Sequence, residues 1–409
     1  GFAEGDREEY EGLVWGGVSM EWVEKKSSEL YVSSSGLSKS SDQFGYGYPF
    51  LSYKDVFNNY YAPEKLSTLV NSTEKDRLTC SVKQGDVFLT RTSETTDELG
   101  MSCVALHDYV NATFNGFTKR LRPLTDEIEP KYAAYYFRSP YFRSQCISLA
   151  SLITRASLND GMIRRLKIRY PLNRKVQEKI GEILYTYDSL IENNTNRIRL
   201  LEKMAENLYR EWFVRFRFPG HEKVEFVNGL PKGWMRGSLS DVCEFKRGKN
   251  ITSGEMEEGN IPVISAGLEP SGYHSCSNVK GTNVTMSSSG ANAGYIAIHY
   301  SDIWAADCSY VEEATTDNIY YVYELLNNIR NVINNFQRGA AQPHVYPKDI
   351  NRIKLILPSE DLMEKANDRL KMMHKEIYNL QKQNSLLARQ RDLLLPRLMS
   401  GKLEVKVKP

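Results

Sequence analysis

The 409-residue chain lacks the short motifs of the commonest catalytic sites. It has no G-x-x-x-x-G-K-[ST] phosphate loop, no G-x-S-x-G nucleophile elbow and no H-E-x-x-H zinc helix. Ser139-Pro140-Tyr141-Phe142 shares an aromatic end with the amino-methyltransferase motif, but it lacks the second proline and the leading amide, and no glycine-rich cofactor loop precedes it. The sequence therefore predicts a protein with no catalytic, cofactor-binding or metal-ligating residues.

Paired cysteines and long apolar runs are also missing. Six cysteines stand singly, which argues against a zinc site or a disulfide framework, and we expect them to be small buried hydrophobes in a reducing compartment. No apolar run approaches the roughly 18 residues of a membrane span. Residues 1–18 mix acids and glycines where a secretory signal would be basic and then apolar. These absences predict a cytoplasmic protein without membrane contact, with a loose leader over 1–18.

Charge of one sign does not dominate, because 53 Lys and Arg stand against 51 Asp and Glu, for a net charge of +2. A dedicated DNA-binding protein is often far more basic. The distribution is uneven: residues 131–175 hold ten basic residues and one acid, whereas residues 219–358 hold twelve basic and fifteen acidic ones. The first cluster, which includes Arg164 and Arg165, is either a solvated face or a rim that contacts phosphates.

The sequence does contain one long heptad pattern, given twice. The first run has core positions Ile180, Leu184, Tyr187, Ile191, Asn194, Ile198, Leu201, Ala205, Leu208 and Trp212. The second run lies 186 residues later, at Ala366, Leu370, Met373, Ile377, Leu380, Asn384, Leu387, Arg391, Leu394 and Leu398. Neither helix can bury such a seam alone, so the pattern predicts a coiled coil, with its first helix from Arg174 to Phe213.

Two polar residues interrupt these apolar seams. Asn194 and Asn384 either reach water or a partner subunit, or they fix the register of the helices at a cost in stability. Both alternatives stay open at the level of the sequence.

A globular unit precedes each helix, and the two units share a pattern. Trp22–Gly36 and Trp234–Gly248 have the same length. Each unit continues with a short strand and then an apolar strand that runs into a hydroxyl-rich loop. An aromatic segment that is predicted to be helical follows, and a final strand ends at a proline. The matched segments are Pro49–Ser52 with Pro262–Ser265, Gly85–Ser93 with Asn283–Gly290, Tyr132–Phe142 with Tyr320–Phe336, and Ile163–Pro171 with Ile350–Pro358. Strands and short helices mix without a regular βαβ alternation, so we predict an α+β fold.

Three local segments make a family resemblance specific. They are the restart Leu230-Pro231-Lys232-Gly233-Trp234, the run Gly339-Ala340-Ala341-Gln342, and the closing Leu398-Met399-Ser400-Gly401-Lys402-Leu403. With the twofold repeat of unit and helix, the chain after about Val18 resembles the specificity (S) subunit of type I restriction-modification enzymes. The first unit departs from the pattern, since it lacks Leu-Pro-x-Gly before Trp22 and has Ile153-Thr154-Arg155-Ala156 in place of the Gly-Ala-Ala-Gln run.

The resemblance implies a complete architecture. Two target recognition domains would occupy residues 1–172 and 219–358, and two conserved helices, over 173–218 and 359–409, would pair as an antiparallel coiled coil with a pseudo-twofold internal repeat. Each domain would read one half of a bipartite, asymmetric double-stranded DNA target. The coiled coil would set the spacer and dock two modification (methyltransferase) subunits and, through them, restriction subunits. S-adenosylmethionine, ATP and Mg would belong to those partners, and this chain would be non-catalytic.

Base discrimination in such a protein needs side chains that match base edges. Arg offers two donors to guanine and Asn or Gln pairs with adenine, and we expect about half of the candidates to contact phosphate or to be structural instead. The candidates are Arg91, Thr92, Ser93 and Arg155 in the first domain, and Lys246, Arg247, Ser288, Ser289, Asn292, Arg338, Gln342 and His344 in the second. His344 has no carboxylate at a spacing that would make it a catalytic base.

Two rival functions use the same features differently. A coiled-coil scaffold that binds only protein would explain the helices but not the repeated, loop-rich units. A fused adenine methyltransferase would need the cofactor loop that the sequence lacks.

Overall fold

A computed structural model describes residues 21–93, 95, 98–149, 156–338 and 343–406. The chain divides into two compact units. The described residues of Gly1–Ile191 and Ser385–Pro409 form unit 1, and Glu192–Asn384 forms unit 2.

Unit 1 combines short strands with short helices. Its strands are β1 (Trp22–Lys26), β2 (Tyr31–Ser35), β3 (Phe44–Leu51), β4 (Thr68–Val70), β5 (Val87–Thr90), β6 (Thr92–Ser93), β7 (Ser102–Val104), β8 (Thr113–Phe114), β9 (Thr118–Pro123), β10 (Ala156–Ser157) and β11 (Lys167–Pro171). Its helices are α1 (Ser27–Leu30), α2 (Tyr53–Asn58), α3 (Glu74–Thr79), α4 (Pro130–Tyr136), α5 (Pro140–Leu149) and α6 (Asp160–Arg165), and the long α7 (Arg174–Tyr209) begins here.

The strands of unit 1 form two main sheets. One has the order β2-β9-β5-β7 with antiparallel neighbours, and the other has the order β4-β3-β8, in which β3 and β8 run parallel. β1 pairs with β11, so the first and last strands of the unit close on each other. The apolar face of the larger sheet packs on the aromatic residues of α4, of which Tyr132, Tyr135 and Tyr136 are almost completely buried.

Unit 2 is built from a second set of short elements. Its strands are β12 (Phe226–Val227), β13 (Leu230–Pro231), β14 (Met235–Ser238), β15 (Lys246–Arg247), β16 (Ile261–Ile264), β17 (Gly272–His274), β18 (Asn283–Ser287), β19 (Ile296–His299), β20 (Trp304–Ala305), β21 (Cys308–Glu312) and β22 (Lys354–Leu357). Its helices are α8 (Ile319–Asn328), α9 (Arg330–Asn334) and α10 (Pro347–Ile350), and most of the long α11 (Glu360–Ser400) lies here.

The sheets of unit 2 repeat the connectivity of unit 1. The orders are β15-β21-β18-β19 and β17-β16-β20, with β16 and β20 parallel, and β14 pairs with β22 as β1 pairs with β11. Each strand of these sheets occupies the place of its counterpart in chain order in unit 1. The α+β prediction and the internal repeat are confirmed.

The two long helices pair within each unit. In unit 1, Arg391 of α11 forms an ion pair with Asp188 of α7. In unit 2, Asn194 of α7 donates a hydrogen bond to Asn384 of α11, with Nδ2 and Oδ1 3.0 Å apart. Arg197 of α7 also forms an ion pair with Glu376 of α11 in unit 2. Residue numbers therefore rise along α7 as they fall along α11, so the helices are antiparallel in this unit. Every predicted seam position is buried or half-buried, as a shared apolar seam requires.

Two details of these helices and cysteines differ from the sequence prediction. The α-helix predicted to end at Phe213 ends at Tyr209, and Arg210–Val214 form a π-helical turn. Five of the six cysteines are buried, but Cys276 is exposed, so it does not act as a core hydrophobe.

A buried amide attaches each long helix to its globular unit. The Oε1 atom of Gln177 accepts the backbone N–H of Glu129, at 2.9 Å. The Oδ1 atom of Asn367 accepts the N–H groups of Tyr320 and Tyr321, at 3.1 and 3.2 Å. In both cases the amide satisfies donors at the start of a helix, α4 or α8, which would otherwise have no partner.

Candidate nucleic-acid interface

In unit 2, several of the residues predicted to contact DNA lie in the loop after β18 and on the strand β15. The Oγ of Ser289 donates a hydrogen bond to the carboxylate of Asp307, and the guanidinium of Arg247, on β15, forms an ion pair with the same carboxylate. Asp307 directly precedes β21, which pairs with both β15 and β18. The sheet thus brings Arg247 and Ser289 to one carboxylate, although 42 residues separate them.

The segment before α10 folds onto this loop. The N–H of His344 donates to the carbonyl of Arg338, at 2.8 Å, and His344 forms an isolated antiparallel bridge with Ser289. The guanidinium of Arg338 forms an ion pair with Asp349 at 2.9 Å, and the ring of His344 stacks on that of Tyr346. The predicted residues Arg247, Ser289, Arg338 and His344 therefore lie together.

The remaining candidates of unit 2 have different surroundings. Ser288 is completely buried and its Oγ lies 3.3 Å from the Oγ of Ser309, so its hydroxyl is not presented at the surface. Lys246 is exposed on β15 beside Arg247, and adjacent strand residues point to opposite faces. Asn292 is half-buried and ends the 3₁₀ turn Gly290–Asn292. Gln342 lies outside the described residues.

Unit 1 places its candidates on the equivalent loop. β6, which follows the central strand β5, pairs Thr92 with Ser157 and Ser93 with Ala156. The carbonyl of Arg91 accepts the N–H of Leu158, at 2.8 Å. The loop after the central strand thus pairs with the segment before the last short helix, as Ser289 pairs with His344 in unit 2. The Nε of Arg91 is buried without a hydrogen-bond partner in the described part of the chain, and Arg155 lies outside that part.

The basic residues of 131–175 divide into some that bind other parts of the chain and some that are exposed to solvent. Arg138 is half-buried and donates to four backbone carbonyls, and the desolvation of its guanidinium lowers its pKa. Lys167 pairs with Glu24, and Arg169 lies over the ring of Trp22. These side chains are structural. Arg164 and Arg165, on α6, are exposed and without an ion pair in the described part of the chain, so they suit the phosphate-contacting alternative.

Two carboxylates that bind the arginines were not among the residues predicted from the sequence. Asp307 binds Arg247 and Ser289, and Asp349 binds Arg338. The only sequence signal for Asp307 is an acid that directly precedes an apolar strand, and that signal is common. Among the described residues there is no cluster of His, Cys, Asp and Glu that could hold a metal ion. None of the described helices has an apolar run that could cross a bilayer.

Comparison with known families identifies the class of protein. Residues 20–203 and 231–388 match the type I restriction modification DNA specificity domain. The two matches cover most of the chain, so it belongs to this family, and the predicted resemblance is confirmed. Specificity subunits are the non-catalytic DNA-recognition subunits of type I systems, they have no catalytic cofactor of their own, and they assemble with other subunits and DNA. Family membership favours this role over both rival functions.

Individual relatives extend along nearly the whole chain. The specificity subunit of the type I restriction enzyme MjaIX from Methanocaldococcus jannaschii is 25% identical over 423 residues, which cover 96% of this chain and 95% of the relative. The crystal structure of a type I restriction-modification S subunit from M. genitalium has a TM-score of 0.62 at 18% identity, and the match covers 95% of this chain and 97% of that chain. The chain therefore shares the fold of that S subunit.

Proposed function

We propose that each unit of this specificity subunit reads one half of a bipartite DNA target. The observation that carries the proposal is that both units use the same strand order to pair the loop after the central strand with the segment before the last short helix. The same surface is thus built twice from different side chains. Two similar surfaces with different side chains suit a target whose two halves have different sequences.

In unit 2, Arg247, Arg338 and His344 are the proposed base readers. The carboxylates of Asp307 and Asp349 orient the two guanidinium groups before DNA binds, and an oriented guanidinium can donate two hydrogen bonds to the O6 and N7 atoms of guanine. The acids also repel phosphates, which favours side chains that reach base edges over those that bind the backbone. Asn292 is the candidate for adenine and Lys246 for phosphate, and Gln342 remains a candidate on sequence grounds.

Buried hydroxyls in the same loop have a supporting role. The Ser288 hydroxyl lies against Ser309, and the Ser289 hydroxyl binds Asp307. We therefore assign both serines a structural role, in which their hydroxyls stabilise the conformation of the loop. In unit 1, Arg91, Thr92, Ser93 and Arg155 remain the proposed readers, because they belong to the equivalent loop and to the segment that meets it.

The outer faces of the long helices are the proposed docking sites for two modification subunits. Leu200, in unit 2, is 64% exposed, and Leu386, in unit 1, is 52% exposed. These residues lie 186 residues apart and are thus equivalent in the repeat. Exposed leucines on a helix favour contact with apolar surface of a partner, and two equivalent faces suit two copies of one partner. Restriction subunits would join through the modification subunits in the cytoplasm, and S-adenosylmethionine, ATP and Mg would be bound by these partners.

The decisive experiment exchanges one reader. Residues 20–171 are replaced by the same unit of a family member with a different target, the hybrid is assembled with modification subunits, and methylated adenines are mapped in DNA. We expect one half of the target to change and the other half to stay. The matched hybrid, which exchanges residues 219–358 instead, should change the other half of the target and keep the first. A change of both halves in the first hybrid would refute the two-reader proposal.

A further inference from the structure

Unit 2 contains a cavity of about 660 Å³ that lies outside the proposed DNA-reading surface. We call it the acidic cavity, and its polar lining includes Glu202, Glu206, Tyr300, Tyr323, Glu324 and His374. These residues belong to α7, α8 and α11, except Tyr300, which directly follows β19. The volume is within the range of about 300–1,000 Å³ that is typical of ligand sites.

The charges around the cavity are not balanced. Three carboxylates line it, whereas the one lining arginine, Arg210, pairs with Glu206 at 3.2 Å. Glu324 is buried, and Glu202 forms no ion pair in the part of the chain that the structure describes. Although Glu202 is an exposed residue, partial desolvation of its carboxylate raises its pKa, and Glu324 adds to this shift while His374 and Arg199 oppose it.

A buried histidine completes the cavity. His374 is 2% exposed, and its Nδ1 lies 2.8 Å from the hydroxyl of Tyr300. Its Nε2 has no hydrogen-bond partner within the described residues, although Glu324 Oε1 lies 3.5 Å away. A buried polar atom without a partner is costly. When Nδ1 carries the proton, Nε2 is an acceptor that a ligand N–H can satisfy.

The internal repeat indicates which ligand is missing. The repeat offset of 186 relates His374 to Asp188 and Ala205 to Arg391. In unit 1 the guanidinium of Arg391 binds Asp188 and Asp392, and it lies 5.1 Å from the centre of the Tyr60 ring. Unit 1 therefore fills its version of the site with its own guanidinium. Unit 2 has Ala205 at that helix position, where it is completely buried in the apolar core and supplies no guanidinium to the cavity that Glu202 and Glu206 of the same helix line.

We propose that the acidic cavity binds the guanidinium of an arginine side chain supplied by another polypeptide. Carboxylates and a tyrosine ring hold the guanidinium of Arg391 in unit 1, and the cavity offers the same groups in Glu202, Glu324, Tyr300 and Tyr323. A guanidinium presents five N–H donors in a plane and stacks on aromatic faces, whereas an ammonium is a compact, strongly hydrated charge. DNA is excluded as the ligand, because its phosphates would meet three carboxylates.

The first test supplies a guanidinium from the helix that lines the cavity. Ala205 is completely buried, so any larger side chain must displace neighbouring core residues, and a control of similar size is needed. Ala205→Arg supplies the missing guanidinium, and Ala205→Met is the matched control of similar length without charge. We expect the arginine variant to melt at least about 2–4 °C above the methionine variant, and we expect this difference to disappear when Glu202→Gln is added. Equal melting temperatures, or a lower one for the arginine variant, would contradict the proposal.

The second test uses the unmodified chain and a small probe. Ethylguanidinium and ethylammonium are titrated at matched ionic strength while the protein resonances of the cavity tyrosines are followed by NMR. Ethylguanidinium should shift them in a saturable way and ethylammonium should not. Glu202→Gln should weaken the shift, whereas Glu192→Gln, an exposed position on the same helix, should leave it unchanged. Equal response to both cations, or to both variants, would refute a guanidinium site.

The third test identifies the source of the guanidinium, and it rests on the proposed assembly with modification subunits. Ethylguanidinium should bind the isolated chain but not the assembled complex, and Glu202→Gln should weaken assembly about 10-fold or more. Probe binding that persists in the complex would overturn the partner arginine in favour of a free small guanidine. Failure of the wild-type chain to assemble would instead count against the proposed function, while the first two tests would still assess the cavity.

Discussion

Replacing Asn384 by leucine removes the acceptor of a hydrogen bond inside the helix seam of unit 2. The Nδ2 of Asn194, which is 7% exposed, would keep only a longer contact of 3.4 Å to Gln383. A buried donor left without a good partner costs about 1–3 kcal/mol. We therefore expect Asn384→Leu to lower the free energy of unfolding of the helix pair by about this amount.

The reverse change should cost less. Asn194→Leu leaves Asn384, which is half-buried and retains a contact of 3.4 Å to the hydroxyl of Thr195. Water can also reach a half-buried amide, so we expect a loss of about 0.5–1.5 kcal/mol. Changing both residues to leucine removes both polar groups and adds apolar seam, so the double variant should be at least as stable as the wild type.

Hydrogen exchange of peptides from α7 and α11, with a melting curve of each variant, measures these differences. Asn193→Leu is the control, because Asn193 is exposed on the same helix and should change little. The double variant should gain stability and lose its single register, with two exchange populations in the helix peptides. If the double variant loses as much stability as the two single variants together, the asparagine pair is not coupled and the reasoning fails.

Three further predictions concern DNA reading, pH and spacing. Arg247→Ala should weaken binding of the cognate site by about 1–3 kcal/mol and relax the base preference at one position of the target. Lys246→Ala should weaken binding to all sequences alike and reduce the slope of log K against log salt concentration by about 1. Identical effects of the two variants, measured over a series of salt concentrations and sequences, would contradict these roles. Burial lowers the pKa of His299 to about 4 from 6.5. Between pH 6.5 and pH 4 the unfolded chain therefore binds a proton at this residue that the folded chain does not bind. The free energy of unfolding should fall over this range by up to about 1.4 kcal/mol for each pH unit. His299→Gln should flatten this part of a pH series of urea titrations, and an unchanged slope would contradict the assignment. A heptad inserted after Leu201, with a register-matched heptad in α11, adds about 10 Å of helix. The variant should bind DNA more weakly and, in a library of sites that differ in spacer length, should prefer a spacer about three base pairs longer. An unchanged spacer preference would mean that partner subunits set the distance.

Local periodicity allowed the sequence to determine the helices and the fold class. The heptad positions from Ile180 to Trp212 and from Ala366 to Leu398 predict a buried face because a helix returns to the same face every three to four residues. Some of the strands could be predicted from the repeated apolar segments and the prolines that stop them, but which strands pair could not. The family resemblance then came from short segments that stand at fixed places in this pattern.

The tertiary structure alone decided which residues meet. Asn194 and Asn384 are not equivalent in the repeat, and they bind each other only because the antiparallel register brings them together. Asp307 holds Arg247 because β21 lies between β15 and β18, and Ser288 is buried for the same reason. Such contacts join residues far apart in the chain, and their geometry depends on the path of the whole unit, whereas a periodic pattern records only the near neighbours of each residue.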